Sequence, residues 1–498
     1  MSRHSRFIER SGGRLRFDLA LSFLKPFIFI VGGILFGAFP ALAQSSSTKL
    51  DEGAGELHLS QPWESPIQAS VFGQFRFESL QYMSVLRDAP SLTNSEFLSG
   101  RITAASFRPT PLSLNWAADV SVGTFFSAKQ SYYSVQELYV STPLDDQATV
   151  SLGRKKYEWT EIDRIWSLGL WQPRYAIDAL RPEDQGLTGL FFDYKSEMFQ
   201  LLAFGSSLFI PTMGPDLREE DGTIKADNRW YRPPSRQAGN INVSYKLDIG
   251  DQWKLASQDS FALKMRLGKQ DTGPWVSVAG GRKPVNDLIL QRSIQSVNVD
   301  NQADFVVSPK VDHHQVFSAD MGYQFEVAKV SVSYYEDHPE PMLPPQDYAI
   351  QELSPIKIYS AQLDWNVRQF LDRSLQVQLA YLKSYGDSIQ DITSDGSVDT
   401  NTIFNYRYRF SNAALARVMG PLTMVYARPL ITQFSYIHDY DQKGSILGLE
   451  FQYQWNQIWS FLMGADILGP DDPQSTSDGF INTFRANDRV YAGASYVF

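Results

Sequence analysis

The 498 residues contain no cysteine at all. That excludes disulfide frameworks, thiol chemistry, a lipoprotein anchor and cysteine-based zinc sites. Histidine is scarce, with six in the chain. Outside one N-terminal segment no apolar run approaches the 20 residues or so that a transmembrane helix needs. Basic residues are outnumbered, 45 Lys and Arg against 55 Asp and Glu. That balance argues against a general nucleic-acid partner.

What is present begins with a targeting pattern. Arg3, Arg6, Arg10, Arg14, Arg16 and Lys25 form a basic region ahead of the apolar run Phe27–Phe39. Ala41 and Ala43 then supply the small residues of a signal-peptidase site. A run of this length suits a cleaved signal peptide over residues 1–43 better than a membrane anchor. Cleavage removes six basic and two acidic residues, leaving 39 against 53 and a formal charge of −14. Residues 44–66 are polar, rich in Ser, Gly and Pro, and read as a periplasmic lead-in to one large unit over 67–498.

From residue 67 onward the dominant pattern is alternation. Leu112, Leu114, Trp116, Ala118, Val120 and Val122 alternate with polar or small residues. The same holds for Ile241–Leu247, for 359–368 and for 446–456. Such segments are strands with one apolar and one wet face. Aromatic residues sit near segment ends: Phe75, Phe77, Trp275, Tyr334, Tyr335, Trp455 and Trp459. Connections alternate short and long, with 80–96, 157–185, 206–237, 338–354, 386–401 and 469–487 long. Two stretches break the rule, a ten-residue gap at 412–421 and a short connection at Asp439–Gly444. Strands are not placed across 253–313.

The segment Arg489–Phe498 alternates and stops at Phe498, two residues after Tyr496. Together with the leader and the repeated two-sided strands, this ending resembles an outer-membrane β-barrel of the Gram-negative porin type. The resemblance implies an all-β fold, a transmembrane antiparallel barrel of 16–20 strands with 18 the best fit. It implies that Tyr496 and Phe498 form a signal for the barrel assembly machinery, with outer-membrane lipid and lipopolysaccharide around the wall. The implied role is passive diffusion of small polar or charged solutes, without enzyme chemistry, cofactor or metal. Monomer and trimer stay open.

Candidate residues follow from the wet faces. Arg76, Arg101, Lys246, Arg368, Arg407 and Arg409 are basic wall candidates, and Asp119, Asp364 and Glu450 acidic ones. Arg407 and Arg409 share a face of N-Y-R-Y-R-F, a spacing that in a strand makes a basic ladder, although wall charges also pair simply across strands. The stretch 157–185 is partly helical by pattern. Thr160 and Asp163 resemble a capping box, Ile162, Trp166 and Leu170 form a stripe, and Pro173 opens a second short helix through Leu180. By position it resembles the constriction loop of general porins. Folded inward, Glu158, Glu161, Asp163, Arg164, Arg174 and Asp178 face wall charges across water. Rim packing and ligand recognition by its tryptophans are the other two roles. A plugged barrel displaying its loops is the alternative to a channel, and a hydrolase would need His438 beside a carboxylate or serine at the rim.

Overall fold

The computed structural model describes residues 68–84, 92–107, 112–127, 130–234, 237–238, 241–269, 271–297, 302–342, 344–346, 348–370, 373–393, 396, 398–399, 406–472 and 479–498. The expected leader and lead-in lie outside them. Eighteen antiparallel strands among the described residues form one sheet. In chain order they are β1 (Gln68–Tyr82), β2 (Asn94–Phe107), β3 (Asn115–Phe125), β4 (Gln130–Pro143), β5 (Ala148–Lys155) and β6 (Leu187–Lys195). Next come β7 (Phe199–Ser206), β8 (Ser260–Leu267), β9 (Gly273–Pro284), β10 (His313–Gln324), β11 (Ala328–Pro339) and β12 (Ile356–Phe370). The last are β13 (Arg373–Gly386), β14 (Asn412–Val425), β15 (Arg428–Asp439), β16 (Gly444–Gln454), β17 (Trp459–Pro470) and β18 (Arg489–Val497).

Each strand pairs with its sequence neighbour, and β18 pairs with β1 from Tyr82↔Arg489 to Gln74↔Val497. The sheet is therefore closed. Closure leaves no unpaired edge, the condition for a sheet to stand in hydrocarbon, where backbone polar groups find no water. The seam ends at Phe498: Gly73 N–H donates to its carbonyl at 3.0 Å, and Phe498 N–H donates to Gly73 O at 2.9 Å. The Phe498 ring stacks on Phe75, centroids 5.5 Å apart.

Alternation sorts the side chains. Val71, Phe75, Phe77, Leu263, Leu267, Met321, Val332 and Met463 point out and are exposed. Glu78, Asp119, Ser318, Asp320, Gln362 and Arg489, on the opposite parity, point in and are buried. Phe75, Phe77, Trp455 and Trp459 are exposed as rim aromatics. Trp275 and Tyr335 are corrections to that group, since both face the lumen and are buried.

One end of the barrel carries short turns and the other long connections. The expected gap at 412–421 is strand: Pro421 sits at a bulge in β14, where its missing N–H costs no ladder bond. The true turn is Tyr426–Ala427, both in the left-handed region (φ 48° and 61°), as a tight hairpin requires. The short connection 440–443 is as expected.

The long connections build a second, seven-stranded sheet: Gln237–Ala238, Ile241–Leu247, Gln302–Lys310, Ile289–Val297, Tyr348–Leu353, Ile389–Thr393 and Val398–Asp399. Ile241–Leu247 runs parallel to Gln302–Lys310 and is not a wall strand. Its alternation reflects packing of Val243 and Tyr245 on Val307, not a lipid face.

Candidate functional site

Residues 156–186, between β5 and β6, do not stay at the rim. Their first half forms α1 (Glu161–Trp166), a single short helix. Thr160 caps it by accepting from Ile162 N–H at 3.3 Å. Asp163 does not complete the capping box. Its carboxylate accepts from the N–H groups of Leu170 and Trp171, at 2.8 and 3.0 Å, and fixes the turn after the helix. Burial raises the Asp163 pKa, against those N–H donors. Ser167 ends the helix in the left-handed region (φ 45°). The second helix expected from Pro173 is absent. Arg174–Tyr175 pairs instead with Glu183–Asp184 as a two-residue ribbon, so the backbone there is extended.

The apolar stripe of this strap is buried, Ile162, Ile165, Trp166, Leu168, Leu170 and Trp171 all being 2% exposed or less. It packs on inward residues of the wall, among them Phe191, Leu202, Phe204, Val316, Tyr335, Ile356, Ile358, Leu382 and Leu415. On β12 the inward face is apolar at Ile356 and Ile358, then polar at Ser360, Gln362 and Asp364. The switch marks the depth to which the strap's apolar core reaches. Each such side chain contributes about 1.5–3 kcal/mol on burial, so the strap is a packed element and not a loose lid.

Polar contacts then pin it to both sides of the barrel. On one side Thr160 Oγ1 donates to Asp320 of β10 at 2.9 Å. Trp171 Nε1 donates to Ser318 at 3.2 Å and Trp166 Nε1 to Ser360 at 3.3 Å. Arg164 pairs with Asp364 of β12 and, at 2.7 Å, with Glu161. Lys329 of β11 also pairs with Glu161. Burial alone raises the Glu161 pKa, but Arg164 and Lys329 outweigh it and hold the carboxyl at about 2. On the other side Arg489 of β18 donates to Asp178 at 2.6 Å and to Asp466 of β17 at 2.7 Å. Arg181 donates to Glu78 of β1 at 3.2 Å and lies 3.9 Å from Glu450 of β16. Burial raises the Asp178 pKa, but Arg489 and Arg181 pull it below the usual range.

The candidate residues divide accordingly. Glu161, Arg164 and Asp178 meet the wall by direct ion pairs, not across water. Asp163 and Arg174 brace the strap itself, Arg174 donating to Ser167 O at 2.5 Å. Glu158 is exposed, and its backbone carbonyl accepts from Lys264 of β8. Arg76 pairs with Glu78, Arg101 pairs with Asp119 at 2.6 Å, and Glu450 accepts from Tyr491 at 3.0 Å, all on the lumen face. Lys246 is a correction: it lies exposed on the loop sheet, away from the wall. The Arg368 side chain lies outside the described residues.

Arg407 and Arg409 are corrections too. Residues 407–411 are not strand, so no basic ladder forms. Arg407 donates to Asp337 of β11 at 2.6 Å. Arg409 donates to the carbonyls of Ala179 and Ser167, the latter at 3.0 Å, and so clasps the strap. Burial lowers its pKa to about 9. His314 faces inward between Asp337 (2.8 Å) and Lys283 (3.2 Å). His438 lies 3.9 Å from Asp471, and Asp439 is spent on the N–H groups of Ser411, Asp441 and Gln442. Sequence reasoning missed Arg181, Arg489, Lys329, Asp466 and Glu78. For Glu78, Lys329, Asp466 and Arg489 the signal was available as charges on the inward parity of strands, whereas Arg181 lies in the strap and carried no such pattern.

No protein-family model matches the sequence, and no curated protein matches it. Solved structures do. The loop L8 deletion mutant of OmpT, an outer membrane protein of Vibrio cholerae, is 11% identical, covering 87% of this chain and 100% of its own (TM-score 0.38). Salmonella typhi OmpF in complex with daunomycin is 10% identical over 86% and 97% (TM-score 0.40). Pseudomonas aeruginosa OccD3 (OpdP) is 12% identical over 86% and 91% (TM-score 0.46). The chain itself folds as a closed antiparallel β-barrel of eighteen strands. That statement rests on its own eighteen closed strand pairings, because matches this distant transfer no residue roles.

Proposed function

We propose that the protein is an outer-membrane channel through which small polar solutes diffuse passively, narrowed at mid-depth by the strap 156–186. One observation carries this reading. Charged lumen side chains at the level of the strap stay in contact with water: Arg76 is 35% exposed, Glu450 32% and Arg181 27%. A barrel filled as a core would cover them. In this reading residues 1–43 are a cleaved signal peptide and 44–66 a periplasmic lead-in. Tyr496 and Phe498 serve as the insertion signal for the assembly machinery.

The seven-stranded loop sheet favours a second reading, display of a surface by a plugged barrel. Conductance in planar lipid bilayers separates the two. The channel reading expects large steady openings from the folded barrel. A folded barrel that passes no current would leave display as the account.

A further inference from the structure

We propose that the lumen wall between the strap and the short-turn end holds a subsite for small oxyanions, carboxylate or phosphate, centred on Arg266. The proposal deepens the channel reading and rests on it.

Arg266 faces inward on β8 and is half-buried. Its guanidinium lies over the Trp275 ring, 4.6 Å from the centroid. The Lys329 ammonium lies 5.1 Å from the same centroid. Lys264 shares the inward face of β8 two residues away. Trp275 is 4% exposed. The ring is seated against Gly322 of β10, where a Cβ would come within 2.9 Å of it. The platform under Arg266 is therefore fixed by a glycine that leaves it room.

Three carboxylates of this sector are committed elsewhere, and the fourth, Glu158, is exposed and makes no ion pair with Arg266. Glu161 is held by Arg164 and Lys329. Asp320 accepts from Thr160 and from Glu161 N–H. Asp364 is taken by Arg164 and by Gln378, the latter at 2.7 Å. Among the described residues no carboxylate pairs with Arg266, and both its Nε and Trp275 Nε1 are buried donors without a partner. An arginine stacked on an aromatic ring keeps its planar fork presented and loses little freedom on binding. Its geometry matches two oxygens of a carboxylate or phosphate. Lys264 and Lys329 stand beside it, set against the carboxylates of Glu158, Glu161 and Asp320. Wall residues meant only to brace the barrel end in a partner, as Arg101 does in Asp119. Arg266 is half-exposed and ends in no carboxylate among the described residues.

The test uses the whole protein in planar bilayers, with acetate or inorganic phosphate added at the short-turn side of a chloride-carrying channel. Both anions are expected to reduce the current at millimolar concentration. Arg266→Gln is expected to weaken that reduction by roughly three- to tenfold, the loss of one half-exposed charged donor. It also shifts the reversal potential in a salt gradient toward cations. Arg266→Lys retains the selectivity and loses most of the block. Lys246→Gln, on the loop sheet, leaves both unchanged. Block by phosphate alone assigns the site to phosphate, and block by acetate alone to carboxylates. A conducting channel whose block is the same in wild type, Arg266→Gln and Arg266→Lys overturns the subsite while leaving the channel intact. A folded wild-type barrel without current overturns the channel reading itself, and the subsite with it.

Discussion

Arg489 of the last strand and Asp178 of the strap are 311 residues apart in sequence and meet at 2.6 Å inside the barrel. The guanidinium is fully buried and also holds Asp466. It joins the strap to the wall beside the seam where the barrel closes.

Breaking that junction from the arginine side is expected to be costly. Arg489→Gln leaves two carboxylates without their shared cation, and removing one partner of a buried pair costs about 3–5 kcal/mol. Asp178→Asn is milder, because Arg489 keeps Asp466. Thermal unfolding of the detergent-solubilised barrel checks the order: Arg489→Gln well below Asp178→Asn, and both below wild type.

Arg409 distinguishes a clasp from a wall charge. Its guanidinium ends on strap carbonyls. Arg409→Ala is therefore expected to give noisy, larger openings with little change in ion selectivity. A clean selectivity change at unaltered noise would restore Arg409 to the pore wall.

Acid should loosen the strap. Glu161 has its pKa lowered from 4.5 to about 2. A lowered carboxyl contributes stability that is fully present above about pH 4.5 and lost as pH falls through about 2. Asp178 is shifted in the same direction. Current noise is expected to be flat from pH 7 to about 5 and to rise below 4. Glu161→Gln should be noisy already at pH 7 and respond less to acid.

Gly73 is a packing requirement at the seam. A Cβ there would lie 2.2 Å from the Phe498 ring. Gly73→Leu displaces that ring or the closing backbone pair. Overpacking of this kind costs on the order of 1–3 kcal/mol. The expected readout is less heat-resistant folded barrel in membranes, with Gly205→Leu unaffected, since a Cβ at Gly205 meets open space.

Architecture was readable wherever lipid imposes strict alternation. The strand 359–368 and the seam strand follow from it, while the count was readable only as 16–20 with 18 the best fit, because the strands Ser260–Leu267 and Gly273–Pro284 lie where no alternation was placed. Alternation also misled, because a loop sheet has two faces too: Ile241–Leu247 carries the same pattern for packing Val243 and Tyr245. In the strap, the buried stripe of Ile162, Trp166 and Leu170 was legible as helix spacing. The partners of its charges were not, since nothing local in sequence links Asp178 to Arg489 or Arg409 to Ser167. Pro421 hid a strand because a bulge, invisible in one sequence, is what admits it.

The most direct measurement uses the absence of cysteine. Glu158→Cys places a single thiol on an exposed strap position whose neighbour in space is Lys264 of the lumen wall. A negatively charged methanethiosulfonate reagent is then added to a conducting single channel. If the strap narrows a hydrated passage, the current drops in one discrete step and reducing agent restores it. An unchanged current with the thiol fully modified would place the strap outside the conducting path and contradict the account.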